Sequence, residues 1–236
     1  MFRAVESGAA DFGVIPVENS TEGAVGRSLD LMPQSPLKVC GEVVVRIHHN
    51  LMSKSEKDFA KIRRVFSHGQ SLAQCHEWLN SHLPDAERIA VSSNAEAARR
   101  AGEEAGSAAV AGDMAAEHYG LAILAANIED EPNNTTRFLV LGDYEPTPTG
   151  RDKTSLVLSA RNRAGAVYEM LTPFAGRGVS MTKFESRPSR VALWDYLFFV
   201  DIEGHRDDGN VAAALEEVGR IAGFLKVLGS YPMAVL

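Results

Sequence analysis

The sequence predicts an α/β protein whose last third is a ferredoxin-like βαββαβ unit. Up to residue 142, short β-rich apolar runs alternate with helical patterns, which is the mark of α/β architecture. "DYEPTPTGRD" (143–152) then supplies turn formers without periodicity and reads as a linker. Beyond it the order changes to strand, helix, strand, strand, helix, strand. Domains are therefore expected at 1–145 and 152–236.

Taken in order, "FRAVESGAA" (2–10) reads as the end of a helix, an odd way for a chain to open. "FGVIPVE" (12–18) is a buried strand ending in polar residues, and "CGEVVVRIHHNLM" (40–52) reads as one long strand. "IRRVFSH" (62–68) is a strand and "GQSLAQCHEWLNSHL" (69–83) a helix. "RIAVSS" (88–93) leads into the helix "NAEAARRAGEEAG" (94–106), with Asn94 placed to cap it. "SAAVAG" (107–112) is a strand, "DMAAEHYG" (113–120) a helix stopped by Gly120. "LAIL" (121–124) and "TRFLVLG" (136–142) are strands.

After the linker, "KTSLVLSA" (153–160) is a strand. The helix "AGAVYEMLTPFAGRG" (164–178) should show Val167, Leu171 and Phe174 on one face. "VSMTKFESR" (179–187) and "WDYLFFVDIEG" (194–204) are strands. The helix "NVAAALEEVGRIAG" (210–223) aligns Val211, Leu215, Val218 and Ala222, and "FLKVLGSYP" (224–232) closes the unit. Residues 152–236 are expected to stand alone as a domain.

Composition narrows the function. The 236 residues are 45% apolar and 23% charged, with a formal net charge of -7. Nucleic acid and anionic membranes call for a basic surface, so neither is expected as a partner. A small anion needs only a local positive pocket. Cys40 and Cys75 form no CxxC, which suits a reducing cytoplasm and no structural zinc. His48 and His49 are neighbours in a strand and point to opposite faces, and the other histidines are scattered, so no metal is expected. No apolar run approaches a membrane span, and there is no signal-peptide pattern.

"GVIPVENSTEGAV", "SHGQSLAQC" and "NTTRFLVLG", in that order, resemble the catalytic domain of prephenate dehydratase. "RNRAGAVYEML" and "KFESRPSR" resemble the ACT regulatory domain that follows it in that family. The resemblance covers essentially the whole chain. It implies a two-lobed, periplasmic-binding-protein-like α/β catalytic domain with a cleft, then the ferredoxin-like ACT domain. It also implies a cytoplasmic, cofactor-free homodimer or homotetramer that converts prephenate to phenylpyruvate and is inhibited by L-phenylalanine. Arogenate dehydratase, and a catalytically impaired phenylalanine-binding protein, are the alternatives. The family's opening strand and helix, with a G-P-x-G-T-F-S-like stretch, are absent, so the first lobe is expected to be N-terminally incomplete.

Residue roles follow from the resemblance. Thr136 is the expected proton or hydrogen-bond donor to the departing hydroxyl, provided its own acceptor side is satisfied; otherwise it is a turn threonine. Arg137 either holds a carboxylate or, because strand residues alternate, makes a salt bridge behind the site. Phe138 is a wall or core residue. Asn19, at the end of its strand, can donate and accept, and Ser20 and Thr21 can donate to a carboxylate; Glu18 would repel one. Ser67 and Gln74 flank a helix start and are expected to contact substrate. The phenylalanine site is expected to draw on Asn162, Ala164, Gly165, Ala166 and Val167, with Glu185, Ser186, Arg187 and Pro188 of "ESRP". Glu185 would pair an ammonium and Arg187 a carboxylate, or the two belong to surface ion pairs.

Overall fold

The computed structural model describes residues 1–55, 57–160, 163–189 and 196–235. In chain order the elements begin with α1 (Phe2–Glu6), β1 (Phe12–Asn19), β2 (Gly23–Ala24), α2 (Gly26–Leu31) and β3 (Lys38–Arg46). There follow β4 (Asn50–Ser53), β5 (Arg64–His68), α3 (Gly69–Gln74), α4 (His76–His82), β6 (Glu87–Val91), α5 (Asn94–Glu103), β7 (Ser107–Ala111), α6 (Asp113–Tyr119) and β8 (Ala122–Ala125). The last are β9 (Thr135–Gly142), β10 (Asp152–Ser159), α7 (Ala166–Gly176), β11 (Met181–Pro188), β12 (Tyr196–Glu203), α8 (Gly209–Ile221) and β13 (Phe224–Pro232).

Two compact units result: Met1–Val45 with Thr136–Leu236, and Arg46–Thr135. In the first unit a sheet of order β2-β1-β9-β3 faces a sheet of order β11-β12-β10-β13. Val17, Val39, Leu139 and Leu141 from one share a core with Val157, Phe199, Leu228 and Tyr231 from the other. The second sheet carries α7 and α8 on its opposite face, over Leu156, Leu158, Val200 and Ile202. Its central strand β10 is thus covered on both sides, which is why "LVL" runs apolar without alternation. Where β13 crosses β3 the backbones nearly touch: a Cβ on Gly229 would lie 2.0 Å from the Val39 carbonyl oxygen, so no side chain fits. Residues 152–236 do show the βαββαβ order, but most of the core they share with the first sheet comes from residues 5–141, so that face of their sheet is not self-contained.

The second unit is a sheet of order β6-β5-β7-β4-β8, with β5 parallel to β6 and β7 and β4 antiparallel to β7 and β8. No helix among the described residues is long and apolar enough to cross a membrane.

Several expectations need correction. The long strand at 40–52 is two strands in two sheets, β3 and β4, interrupted at 47–49. There the His49 N–H donates to the Glu129 carboxylate (2.9 Å) instead of to a strand partner. The helix at 69–83 breaks at Cys75, and Asp130 caps its second half by accepting from the N–H groups of Glu77 and Trp78, both at 3.0 Å. Ser93, not Asn94, caps α5, accepting from the Glu96 N–H at 3.1 Å. On α7 the buried face is Ala166, Met170, Pro173 and Phe174; Val167 is exposed and Leu171 half-buried. On α8 Val211 and Val218 are buried with Ala214, and Leu215 and Ala222 pack at the edge of the same core.

Candidate active site

In the first unit the pairing of β1 with β9 slips by one residue at Val17, so that Glu18 faces Arg137 and Asn19 faces Thr136. Buried Asn19 donates from Nδ2 to Thr136 Oγ1 at 3.0 Å. Its Oδ1 accepts from the N–H groups of Thr21 and Glu22, both at 3.1 Å. These two bonds fix the amide orientation, since only the oxygen can accept them. Thr136 therefore receives a hydrogen bond and keeps its own proton to donate. Ser20 and Thr21 lie exposed on the turn wrapped around Asn19. The neighbouring Thr135 hydroxyl turns to the Asn133 carbonyl at 3.1 Å. Phe138 is half-buried opposite Pro16.

Arg137 takes the second of the two courses the sequence leaves open. Its guanidinium meets Asp201 Oδ2 at 2.5 Å, Glu42 Oε2 at 2.7 Å and the Tyr231 hydroxyl at 2.9 Å. Ser155 bridges Asp201 and Tyr231, and Lys153 adds a second cation on Glu42 at 2.9 Å. Two cations and two carboxylates balance in a site where Arg137, Glu42 and Asp201 are 12%, 1% and 8% exposed. Burial alone would raise the Glu42 carboxyl, but the Ala234 N–H and the charges of Arg137 and Lys153 hold it below its ordinary value. Burial pushes the Tyr231 hydroxyl up, with the Asp201 charge adding to it.

In the second unit Ser67 is fully buried, its hydroxyl 2.7 Å from the Val110 carbonyl and 3.0 Å from Asn94 Oδ1. Asn94 also accepts from the His68 N–H and donates to Ser71, both at 3.0 Å. The residue read as a helix cap is instead the knot joining β5, α3 and α5. Gln74 Oε1 accepts from His49 Nε2 (2.8 Å) and Asn134 Nδ2 (3.2 Å). That assigns the proton of His49 to Nε2. Adjacent His48 pairs with Glu129 at 2.7 Å. Burial raises the Cys75 thiol to about 12, with Asp130 and Glu129 adding to the effect, so it is no nucleophile near neutral pH.

The "ESRP" stretch occupies β11, an edge strand. Glu185 and Arg187 share its half-buried face, while Ser186 and Pro188 are exposed. The Arg187 guanidinium donates to Asp30 of α2 at 3.0 Å, so a ligand carboxylate would have to share it. Gly165 adopts φ +78 at the start of α7, a conformation suited to glycine; Ala164 and Val167 are exposed and Ala166 is buried. Asn162 lies outside the described residues. Sequence reasoning missed Glu42, Asp201, Asp30 and Tyr231, which are lone polar residues in strands or helices with no local signal. Asn134 belongs to the visible "PNNTT" cluster and could have been named.

A family model for prephenate dehydratase matches residues 1–146, and one for the ACT domain matches 154–220. The bifunctional chorismate mutase/prephenate dehydratase of Neisseria gonorrhoeae is 60% identical over 237 residues; the alignment covers all of this chain and 66% of that protein. The chain thus spans about two thirds of that relative's length. The solved prephenate dehydratase of Arthrobacter aurescens in complex with L-Phe superposes with a TM-score of 0.88 at 36% identity, over 98% of this chain and 77% of that one. GqqA, described as a novel type of quorum quenching acylase, superposes with a TM-score of 0.88 at 31% identity, over 99% and 86%.

Proposed function

Because the chain belongs to the prephenate dehydratase family and carries an ACT domain, we propose that it converts prephenate to phenylpyruvate, carbon dioxide and water, with phenylalanine as its feedback inhibitor. The observation that carries the reading is the 3.0 Å hydrogen bond from Asn19 to the Thr136 hydroxyl. As the ring carboxylate leaves as carbon dioxide, its electron pair enters the ring and the C–O bond to the ring hydroxyl breaks. That oxygen gathers negative charge, takes up a proton and departs as water. A hydroxyl whose acceptor side is occupied is set to donate to it, and aromatisation supplies the driving force.

In this reading Asn19 orients Thr136. Ser20, Thr21, Gln74 and Phe138 keep the substrate-binding roles that the resemblance implies, whereas Ser67, fully buried and bonded to Val110 and Asn94, supports the start of α3. Arg137, engaged by Glu42 and Asp201, supports the strand from behind rather than holding substrate. Residues 1–145 form the catalytic region and 152–236 the regulatory one, in a cytoplasmic homodimer or homotetramer. The 164–167 and 185–188 stretches would take phenylalanine, a ligand that the Arthrobacter protein holds in its crystal.

Likeness to the acylase favours a second reading, hydrolysis of an acyl amide. A nucleophilic threonine needs a base to take its proton, whereas Asn19 offers Thr136 an N–H, so the dehydratase reading is preferred. Purified chain is incubated with prephenate, with arogenate and with an N-acyl homoserine lactone. Phenylpyruvate from prephenate, reduced by added phenylalanine, is expected. Turnover of the acyl amide alone would contradict the proposal.

A further inference from the structure

Each member of the Asn19–Thr136 pair has a chain neighbour gripped by the β11-β12-β10-β13 sheet. Arg137 is held by Asp201 of β12. Glu18 is held by Lys183 of β11, Nζ to Oε2 2.9 Å, with Arg137 a further 3.8 Å away. Both ends of the Glu18–Lys183 contact sit at a register shift: β1 slips between Pro16 and Glu18, and β11 between Met181 and Lys183. Four residues along β11, on the same face, Arg187 holds Asp30 of α2 and lies over Gly26, where an added Cβ would come within 2.6 Å of the guanidinium. One edge strand thus grips both ends of segment 18–30, which encloses the turn around Asn19. Lys183 is only 9% exposed, so its charge relies on Glu18 for compensation.

We infer that Lys183 is a positioning residue for Asn19 and Thr136, linking the strand that carries residues 185–188 to the turn that orients the donor. β11 has one strand partner and forms an edge of its sheet, so fewer backbone hydrogen bonds hold it than hold an interior strand. A ligand engaging Glu185 or Arg187 displaces it, and the displacement reaches Asn19 through Glu18 and Asp30. The consequence for turnover rests on the dehydratase reading, whereas the positional claim does not.

The test is a double-mutant cycle on the full chain, with Lys183→Met, Glu18→Gln and both together, and Lys183→Arg as the conservative control. Hydrogen exchange without ligand is expected to speed up at least threefold in peptides covering 17–24 and 135–138 in each single variant. The double variant should be no faster than the singles, and Lys183→Arg should match wild type. In turnover, each single variant should lower kcat at least threefold with KM within twofold and weaken phenylalanine inhibition at least threefold. Unchanged exchange in folded single variants, or effects that simply multiply in the double, would overturn the inference; so would unchanged kcat with unchanged inhibition. If the wild-type chain turns over no prephenate, the dehydratase reading fails and the exchange cycle alone decides the positional claim.

Discussion

At the scale of single residues the proposed chemistry depends on one contact, between Asn19 and Thr136. Thr136 stands out through "NTTRF" and Asn19 through its place at a strand end. Their hydrogen bond spans 117 positions and depends on a one-residue slip at Val17 that no local pattern encodes. Arg137 was ambiguous for a similar reason, because its partners come from β3, β12 and β13. The orientation of Asn19 is itself testable. Asn19→Asp replaces an N–H donor by a carboxylate, which would accept the Thr136 proton and turn it away from substrate. We expect kcat to fall by about 10- to 100-fold with a smaller change in KM, a partial loss set against the roughly 10²–10⁴ that acid–base assistance contributes in full. Steady-state kinetics with prephenate checks it, and an unchanged kcat would show that the direction of this bond is irrelevant.

Among the elements, most of the helices and strands were legible because their apolar periods are clear. The two long ones that broke, at 47–49 and at Cys75, broke where the carboxylates of Glu129 and Asp130 reach in from distant sequence. Hydrogen bonds of that kind override local propensity and leave no trace in it. The charged network on β9 gives two predictions. Arg137→Met leaves Glu42 and Asp201 buried with too little positive charge, and should cost about 3–5 kcal/mol in denaturant unfolding. Glu42 is held below the ordinary carboxylate value when folded, so an unfolded chain binds its proton first as pH falls. Its contribution is complete above about pH 4.3 and is lost as pH drops through the lower folded value. Melting temperature should therefore decline more steeply between pH 5 and pH 3 in wild type than in Glu42→Gln, and parallel declines would contradict this.

For the whole molecule, the irregular stretch between β9 and β10 and the βαββαβ order were readable, but the burial of the β11-β12-β10-β13 sheet on both faces was not. A run such as "LVL" is equally consistent with one covered face or two. Residues 152–236 expressed alone would bare Val157, Phe199, Leu228 and Tyr231 together with Asp201. We expect that fragment to self-associate or melt well below the full chain, as light scattering and calorimetry would show; a monodisperse fragment of equal stability would contradict the shared core. In the proposed reaction Thr136 donates to the departing hydroxyl of prephenate. The rate of phenylpyruvate formation by the wild-type chain and by Thr136→Ala, measured side by side, decides whether it does. Measurable turnover is expected in wild type, with a kcat roughly 10²–10⁴ lower in the variant and a smaller change in KM. An active wild type whose Thr136→Ala variant keeps the same kcat would contradict it.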